Sequence, residues 1–395
     1  MQDWFIDMND CCGCGACAQA CAHSCITMQS NAEGFLVPSV NRTNCVECGL
    51  CEKVCPVKNT KPRNKTPKVY IGRITDEQLL NSCSSGGLAY LMSKTIIEEG
   101  GVVFGVRFNE QWEAVYDYAE DIERLEQFKG SKYIDAIVGD VYKQVQQFLH
   151  SGRTVLFVGT PCHVSGLNHF LRKVYDNLIT VDIMCHAVPS PMVWKRYLNE
   201  LTSDPIKKVS FRSKVFGWEN YGVCIETSKG VIVHEPNDAN IYMQGFLQGL
   251  TVRTSCANCP ARGFLSGSDI MIGDYWELSK CYPDLYDEKG MSLLFACTSK
   301  GDDLLHRMQM PFFLKSISME DVDMEDTHGT LYRSIRLHSN RQVFYSKLNG
   351  KKSKISKLIA ECLKEHLTLK GKLVIVLKKL LGVHYYSLRK LWRKK

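Results

Sequence analysis

Apolar runs separated by polar turns divide the middle of the chain into strands and helices. Residues 154–158 form a short apolar run typical of a buried strand, and a helical pattern follows over about 164–175. A second apolar run at 178–184 is followed, after a Pro-Ser-Pro turn, by a helical pattern that ends at Leu201. This order of strand, helix, strand and helix predicts an α/β unit whose two strands are parallel.

The flanking sequence predicts a larger mixed sheet around this unit. Upstream, residues 70–74 and 102–108 are strand candidates, while 88–99 and 140–149 are helix candidates. Downstream, the strand candidates are 207–212, 221–227, 231–234 and 268–276, and the first three are predicted to be antiparallel. The predicted fold class is therefore α+β / α/β.

Two cysteine runs near the N-terminus share the spacing Cys-x2-Cys-x2-Cys-x3-Cys. They consist of Cys11, Cys14, Cys17 and Cys21, and of Cys45, Cys48, Cys51 and Cys55. This is the spacing of a two-cluster bacterial ferredoxin, in which the fourth cysteine of each run ligates the other [4Fe–4S] cluster. The predicted ligand sets are Cys11, Cys14, Cys17 and Cys55 for one cluster, and Cys45, Cys48, Cys51 and Cys21 for the other.

Zinc and a disulfide framework are the alternatives to this interpretation. Zinc needs only four ligands, and disulfide frameworks belong to small secreted chains, so neither explains two matching runs. Gly13, Gly15 and Gly49 suit the tight turns between ligands because glycine accepts a positive φ. Cys12 and Cys25 do not fit the repeat and are predicted to be spectators.

Composition narrows the class of protein. The chain has 395 residues, a formal net charge of +7 and 19 cysteines. Its acidic N-terminus lacks a signal-peptide pattern, and so many cysteines without a secretion signal predict a reducing, cytoplasmic location and metal binding. The sequence contains no recognisable nucleic-acid motif, so no nucleic-acid partner is expected.

Changes in composition predict four segments. A ferredoxin domain at 1–60 is followed by a basic, proline-containing linker at 61–69, the α/β domain at 70–340 and a basic helical C-terminal segment at 341–395. Within the last segment, residues 371–395 mix Lys and Arg with Leu, Val, Tyr and Trp. We favour a helix docked on the body. The alternative is contact with an anionic membrane surface, which would place the protein peripherally on the inner face of the membrane.

Two polar loops could contact an anionic cofactor. Ser84 to Gly87 opens a predicted helix, whose free N–H groups and dipole suit a phosphate, but an ordinary helix cap fits this sequence equally well. Lys129 to Tyr133 is a glycine-containing loop with two lysines, for which a solvated turn is the simpler interpretation.

Four later cysteines form another candidate metal site. Cys162 and Cys185 each follow a predicted parallel strand, at the edge of the sheet where ligand sites gather. Cys256 and Cys259 form a Cys-x2-Cys pair before Pro260. Together these thiolates could hold a third [4Fe–4S] cluster or a zinc ion, and the ferredoxin runs on the same chain favour the cluster.

These motifs occur in an order that resembles the coenzyme F-420 hydrogenase/dehydrogenase beta subunit family. The resemblance covers about residues 1–300 and includes Gly159-Thr-Pro-Cys, Cys185-His and the Cys pair before Gly273-Asp. It implies an FAD-binding α/β domain that carries a [4Fe–4S] cluster. The flavin-contact candidates that it implies are Ser84, Ser85, Gly86, Gly87, Lys129, Gly130, Ser131, Lys132, Tyr133, Gly159 and Thr160.

The resulting hypothesis is an iron–sulfur flavoprotein oxidoreductase. A low-potential redox partner, such as a ferredoxin, gives electrons to the N-terminal clusters, which pass them through the third cluster to FAD and a small organic acceptor, or in reverse. The candidate proton donors are His163, His186 and Asp274. His163 stands where the family has Gln, and Ala187 where Gly is usual, so the pocket differs from the family pattern.

The resemblance leaves the acceptor and the assembly open. Similar proteins occur in bacteria without the deazaflavin and near polysaccharide-synthesis genes, so F-420 is one candidate acceptor and a polysaccharide context is another. Two other functions remain: a non-catalytic electron-transfer subunit, which would contain no flavin, and a sensor or scaffold, whose clusters would not be reversibly reduced at low potential. An oligomeric form of the protein is compatible with each of these functions.

Overall fold

The computed structural model of the protein describes residues 6–60, 66–322, 329–350 and 353–364. In these ranges the helices are α1 (Ala16–Ala20), α2 (Leu50–Lys53), α3 (Glu77–Ser82), α4 (Leu88–Glu98), α5 (Ile122–Leu125), α6 (Val141–His150), α7 (Pro161–Leu171), α8 (Pro191–Leu201), α9 (Ile241–Leu247), α10 (Leu278–Cys281), α11 (Ser299–Arg307), α12 (Gly329–Tyr332), α13 (Arg341–Gly350) and α14 (Ile355–Lys364). The strands are β1 (Ile26–Ser30), β2 (Leu36–Val40), β3 (Lys68–Ile74), β4 (Val102–Phe108), β5 (Ala114–Ala119), β6 (Val155–Gly159), β7 (Leu178–Ile183), β8 (Ile206–Ser213), β9 (Gly222–Thr227), β10 (Gly230–Pro236), β11 (Ile270–Asp274), β12 (Ser292–Ala296) and β13 (Phe312–Ile317).

The two cysteine runs fold as matching turns followed by short helices. Gly15 precedes α1 and Gly49 precedes α2, with φ values of 71° and 70°. Gly13, in the first run, has a φ of 72°. Glycine adopts this conformation more readily than residues with a Cβ, so the predicted role of these glycines in tight turns is confirmed. Between the runs, β1 and β2 pair as an antiparallel hairpin.

A large mixed sheet forms the body of the described chain, with the strand order β13-β3-β12-β11-β7-β6-β4-β5. β6 pairs in parallel with β4 and β7, and β7 pairs in parallel with β11. The β4–β5, β11–β12, β12–β3 and β3–β13 pairs are antiparallel. The predicted parallel pairing of the two central apolar runs is confirmed, with Val155 opposite Leu178. Consequently β6 and β7 end at the same edge of the sheet.

Helix α7 begins at Pro161 rather than near residue 164, where the sequence pattern placed it. Thr160 is its N-cap, and Pro161 occupies the first turn. The backbone N–H groups of the first turn have no partner within the helix, so proline, which lacks an N–H, costs no hydrogen bond there. Cys162 and His163, which were predicted to lie in a loop, are therefore in the first helical turn. Their side chains are positioned by a helix that starts at the edge of the sheet.

The linker predicted at 61–69 is also shorter than expected. Lys68 and Val69 already belong to β3, which pairs on both sides with β12 and β13. Pairing with these two strands satisfies backbone hydrogen bonds along β3, so tertiary pairing overrides the local polar sequence.

Helices cover both faces of the large sheet. Along β4 and β6, Val103 and Leu156 belong to one hydrophobic core, whereas their neighbours Phe104 and Phe157 belong to another. Helices α4 and α11 pack on the first face. Helices α6 and α7 pack on the second.

The cysteine-rich region is docked on this second helical layer. Helix α1 packs on α6 and α7. Cys14, Ala16 and Val54 share one hydrophobic core with Val164 and Leu167 of α7. The ferredoxin-like region and the α/β body are thus joined by a continuous apolar interface.

A smaller antiparallel sheet, with the order β10-β9-β8, packs with the C-terminal helices. Val223 and Ile225 of β9 lie in the same core as Phe344 of α13 and Ile359 of α14. The described part of the C-terminal segment is therefore helical and docked on the body. Residues 371–395, for which docking or membrane contact was predicted, lie outside the described residues.

No helix in the described part of the chain is both long enough and apolar enough to cross a bilayer.

Candidate functional site

The fold brings Cys55 to the first cysteine run. Cys11, Cys14 and Cys55 are buried, and Cys17 is partly buried. Burial raises the pKa of the Cys17 thiol to about 12, and the neighbouring charges of Cys11 and Cys55 add to this rise. This neighbourhood is the one expected when the last cysteine of the second run completes the first ligand set.

The second set lies closer to the surface. Cys48 is exposed, whereas Cys21, Cys45 and Cys51 are partly buried. The Sγ atoms of Cys21 and Cys25 lie 3.2 Å apart. Interaction with Cys21, burial and the charge of Cys45 raise the pKa of Cys25. Cys25, expected to be a spectator, thus contacts the predicted ligand Cys21 and has Cys45 of the second run as a further neighbour.

The third set of cysteines surrounds one small cavity of ≈ 30 Å³. Cys162 comes from the first turn of α7 and Cys185 from the loop after β7, while Cys256 and Cys259 come from a 3-10 turn and its end. Burial raises the pKa of Cys256 to about 12, and the charges of Cys162 and Cys259 add to this rise. The structure therefore brings together the four later cysteines that were grouped from the sequence.

Two buried arginines and a fifth cysteine complete the walls of this small cavity. These residues are Arg253, Arg262 and Cys12. The positive charges favour thiolates in the cavity. Among the described residues, no three His, Cys, Asp or Glu side chains converge closely enough to hold a single metal ion. Thiolates around one zinc ion lie about 4 Å apart, whereas the four thiolates of a four-iron cube surround a larger group.

A second, larger cavity of ≈ 460 Å³ lies at the carboxyl ends of β6 and β7. Its lining includes ten of the eleven flavin-contact candidates, namely Ser84, Ser85, Gly87, Lys129, Gly130, Ser131, Lys132, Tyr133, Gly159 and Thr160. The eleventh candidate, Gly86, does not line the cavity. A Cβ on it would lie 2.4 Å from the carbonyl oxygen of Gly72. The candidate proton donors His163, His186 and Asp274 line the same cavity.

The two cavities adjoin each other. Both are lined by Ile183, Met184, Cys185, Ala187 and Val188, the segment in which β7 ends. A group in the large cavity and a group held by Cys185 would therefore be separated only by this short stretch of chain. Cys185 is the predicted metal ligand that lines both.

The two polar loops, 84–87 and 129–133, are joined by a pair of serines. The Ser84 hydroxyl accepts a hydrogen bond from the Ser131 backbone N–H at 2.9 Å and another from the Ser131 hydroxyl at 3.0 Å. Residues 47 positions apart thus form one wall of the large cavity. The sequence indicated both loops but gave no reason to place them in contact.

Both lysines of the second loop form hydrogen bonds or an ion pair with neighbouring groups of the chain. Lys132 Nζ donates to the carbonyls of Gln127, Phe128 and Lys129 at 3.1, 2.9 and 3.0 Å. Burial lowers the pKa of Lys132 to about 7. Lys129 forms an ion pair with Glu126. Lys132 therefore shapes the loop through backbone contacts.

Asp274 is held by a buried arginine that sequence reasoning missed. Arg212 donates to both carboxylate oxygens of Asp274, at 2.8 and 2.9 Å, and Trp218 Nε1 donates to Oδ1 at 2.7 Å. Arg212 also donates to the Ser84 carbonyl at 3.0 Å and lies 4.0 Å from the ring centroid of Tyr221. Because both oxygens of Asp274 accept bonds from the wall, the geometry suits a counter-ion better than a proton donor.

The two histidines of the cavity have different partners. His163 Nδ1 lies 3.0 Å from the Tyr116 hydroxyl, and its Nε2 is buried with no hydrogen-bond partner among the described residues. Burial lowers the pKa of His163 to about 4. A Cβ on Gly159 would lie 2.3 Å from the Tyr116 oxygen, so glycine makes room for this pair. His186 Nε2 lies 3.4 Å from the Leu247 carbonyl.

These observations define the class of protein: an iron–sulfur protein whose cysteine sites lead to a cavity in a mixed α/β body. Comparison with known families confirms the resemblance found in the sequence. Residues 152–321 match the family described as the C terminus of the coenzyme F420 hydrogenase/dehydrogenase beta subunit, and residues 10–59 match the 4Fe-4S dicluster domain. Over these residues the chain is similar to the C-terminal part of the F420 hydrogenase/dehydrogenase beta subunit and to 4Fe-4S dicluster domains.

Individual relatives are more distant. A subunit of the F(420)H(2) dehydrogenase of Methanosarcina mazei is 22% identical over 191 residues, which cover 45% of this chain and 53% of that protein. The chain therefore spans about half the length of this curated relative. A solved chain of the F420-reducing [NiFe] hydrogenase complex from Methanosarcina barkeri has 16% sequence identity and a TM-score of 0.47, covering 75% of this chain and 97% of its own.

Proposed function

We propose that the protein is an iron–sulfur flavoprotein oxidoreductase that moves electrons between a redox partner protein and a small organic acceptor, in either direction. The observation that carries this proposal is the shared wall of the two cavities, which includes Cys185. A thiol site next to a cavity of substrate or cofactor size is the arrangement that electron transfer into a bound organic group requires.

The order of the cysteine sites supports a path from the surface to the large cavity. Cys48 of the second set is exposed, so this set is the one accessible to a partner protein. Cys14 of the first set packs against α7, the helix that presents Cys162. The proposed sequence is therefore second set, first set, third set and large cavity.

The large cavity has both polar and apolar walls, as a site for the polar and apolar parts of a flavin would need. Ser84, Ser131 and the glycines Gly87 and Gly130 lie in its polar wall, while Tyr133 and Val158 supply apolar surface. The unpartnered Nε2 of His163 is buried beside it. When bound, iron–sulfur clusters supply one-electron transfer and FAD supplies the exchange between one-electron and two-electron chemistry.

The residues of this chain would hold, orient and shield these groups. Loops 84–87 and 129–133, with Gly159 and Thr160, are the proposed FAD contacts. His163 is the best-placed candidate to give a hydrogen bond or a proton to the group in the cavity, because its Nε2 has no other described partner. Asp274 is proposed to keep Arg212 in position.

The acceptor is proposed by chemical class only. The name of the dehydrogenase relative from Methanosarcina mazei includes F420, so this deazaflavin is one candidate. No described residue argues for the polysaccharide context or for membrane contact. That relative is a subunit of a larger enzyme, which favours one second candidate, an electron-transfer subunit whose partner holds the acceptor site.

Flavin content separates the two candidate functions. We expect anaerobically purified protein to contain about 12 irons per chain, the number for three four-iron clusters, together with one FAD. Iron, acid-labile sulfide and extracted flavin are quantified on the same sample. Protein with the full iron content but without flavin, even after incubation with FAD, would contradict the oxidoreductase and leave the electron-transfer subunit.

A further inference from the structure

A pair of thiols lies at the end of the first cysteine run. The Sγ atoms of Cys21 and Cys25 are 3.2 Å apart, and both cysteines are free thiols. Cys21 is a predicted ligand of the second cluster, whereas Cys25 is outside every predicted ligand set. Cys25 is 5% exposed. Burial by itself is ordinary for a free cysteine, but a second sulfur at this distance makes the two thiols a possible reaction site.

The backbone holds Cys25 beside Cys21. The Ser24 N–H donates to the Cys21 carbonyl at 3.1 Å, which closes a tight turn, and Ser24 has a φ of 50°. The Cys25 carbonyl accepts a hydrogen bond from the Asn41 N–H at 2.8 Å. The next residue after Cys25 begins β1, which pairs with β2. The short distance between the two sulfurs is therefore a consequence of the turn and of the hairpin.

The second cysteine run has no thiol at the matching position. Its last cysteine is Cys55, and the residue four positions further is Asn59. Asn59 Nδ2 donates to the Cys55 carbonyl at 3.0 Å. An amide therefore stands after one run where a thiol stands after the other. Because the second run forms its turn without a sulfur there, the turn itself does not explain Cys25.

Oxidants reach the second cysteine set first. This set includes the exposed Cys48, and oxidation of sulfur follows access. Once oxidation releases the cluster, Cys21 is a free thiol that hydrogen peroxide can oxidise to a sulfenic acid. In this step the O–O bond breaks, one oxygen bonds to the Cys21 sulfur and the other leaves as water. Further oxidation to sulfinic acid is irreversible without a dedicated repair enzyme.

Cys25 is placed to intercept the sulfenic acid. Its sulfur attacks the sulfur of Cys21, so the S–S bond forms while the S–O bond breaks, and the hydroxyl leaves as water with the Cys25 proton. In total, two thiols are oxidised to a disulfide and one peroxide is reduced to two waters. The sulfurs approach from 3.2 Å to the disulfide length of about 2.05 Å. A dithiol reductant reverses the oxidation by thiol–disulfide exchange.

We propose that Cys21 and Cys25 form an oxidation site, at which peroxide produces a reversible disulfide after the second cluster is lost. The disulfide protects the ligand Cys21 from irreversible oxidation, and its reduction allows the cluster to be rebuilt. The proposal requires the second cluster only. It does not depend on the flavin or on the third cluster of the proposed function.

Peptide mapping of the full chain tests this site. Protein loaded with clusters under anaerobic conditions is treated with hydrogen peroxide until about four irons are released. Free thiols are alkylated, and oxidised thiols are then reduced and alkylated with an isotopically labelled reagent. The chain has no Lys or Arg before Arg42, so trypsin leaves Cys21 and Cys25 in one peptide and Cys45 in another. We expect equal amounts of the isotopic label on Cys21 and Cys25.

The variants Cys25→Ser and Cys25→Ala test the role of the second thiol. Both should contain as much iron as wild type before oxidation. After the same treatment, Cys21 should carry sulfinic or sulfonic acid in both variants. Reduction followed by iron and sulfide should restore the about four lost irons in wild type, and the variants should lose this recovery. Cys362→Ser, which removes a buried thiol of α14, should recover like wild type.

Four results would overturn the proposal. Two concern treated wild type: free thiols at both positions, or a peptide pair that joins Cys21 to Cys45. The third is full recovery of iron in both Cys25 variants. The fourth is a Cys25 variant with about four irons fewer before oxidation, which would make Cys25 a cluster ligand. Absence of flavin or of the third cluster would contradict the proposed function and leave the oxidation site standing.

Discussion

Arg253 and Asp135, which are 118 positions apart, form a buried ion pair with a distance of 2.5 Å between Nη2 and Oδ2. The same guanidinium donates to the carbonyls of Cys11 and Leu36, both at 3.1 Å. It lies so close to Gly13 that a Cβ there would be 2.5 Å from Nη2. One side chain of the α/β body thus holds the loop that carries the first cysteine run.

The first prediction concerns this arginine. Arg253→Met leaves Asp135 buried without its partner, so we expect the free energy of unfolding to fall by roughly 3–5 kcal/mol. We also expect slower electron transfer out of the N-terminal clusters, because the loop of Cys11 loses its anchor. Urea unfolding and stopped-flow reduction measure the two effects.

A surface arginine supplies the matched control. Arg124 is 45% exposed and pairs with Asp117, which keeps Arg107 as a second partner. Arg124→Met should cost less than about 1 kcal/mol. Equal decreases in the free energy of unfolding of the two variants would show that the buried contacts of Arg253 stabilise the protein no more than a surface ion pair.

The third cysteine set predicts a selective loss of iron. Cys259→Ser should remove about 4 of about 12 irons and spare the signals of the N-terminal clusters. Cys297→Ser, a partly buried cysteine outside the three sets, should keep the wild-type iron content. Iron analysis with electron paramagnetic resonance measures both. A Cys259→Ser protein that retains all its iron would rule out Cys259 as a cluster ligand.

The serine contact between the two loops predicts an effect on flavin binding. Ser84→Ala removes the acceptor for both the N–H and the hydroxyl of Ser131, so the cavity wall loosens. We expect about a tenfold higher dissociation constant for FAD, equivalent to roughly 1.4 kcal/mol. Ser151→Ala, whose hydroxyl bonds only to the Phe148 carbonyl in the described structure, is the control in flavin fluorescence titrations. Unchanged affinity in Ser84→Ala would place the flavin elsewhere.

A buried carboxyl in β7 predicts a pH dependence of stability. Burial raises the pKa of Asp182 to about 7, although Ser268 donates to its Oδ1 at 3.0 Å. The value in an unfolded chain is about 3.9. Since the folded protein holds this proton more tightly, its contribution to the free energy of unfolding is largest below about pH 4 and falls as pH rises to about 7.

Asp182→Asn should remove this fall. Between about pH 5 and 8, the stability of the variant relative to wild type should rise up to about pH 7 and then level off, with a total gain on the order of 2–3 kcal/mol. Anaerobic thermal unfolding at each pH measures it. Asp176→Asn, at an exposed position, should follow the wild-type profile. A constant difference between Asp182→Asn and wild type would mean that Asp182 does not titrate in this range.

Local spacing made the cysteine sites predictable. The turns of the two N-terminal runs depend on residues two or three positions apart, such as Gly15 between Cys14 and Cys17. Cys162 and Cys185 could be grouped because parallel strands end at one edge of a sheet. In both cases a general structural rule predicts, from a short stretch of sequence, which cysteines lie close together.

Contacts between distant residues could not be predicted in the same way. Neither Arg212 nor Arg253 carries a local signal for its carboxylate partner, because the fold alone brings each pair together. The start of α7 was misplaced since Thr160-Pro161 fits either a loop or a first helical turn. The position of Cys12 in the wall of the small cavity was missed because spacing describes the ligands of one cluster and says nothing of a neighbouring site.

The difference in exposure among the cysteine sets has a consequence for handling in air. Cys48 is exposed, whereas Cys11, Cys14 and Cys55 are buried. Oxidation of sulfur follows access as well as thiolate character. Oxygen damage should therefore begin at the outermost set and disconnect the protein from its partner while the inner sites are still intact.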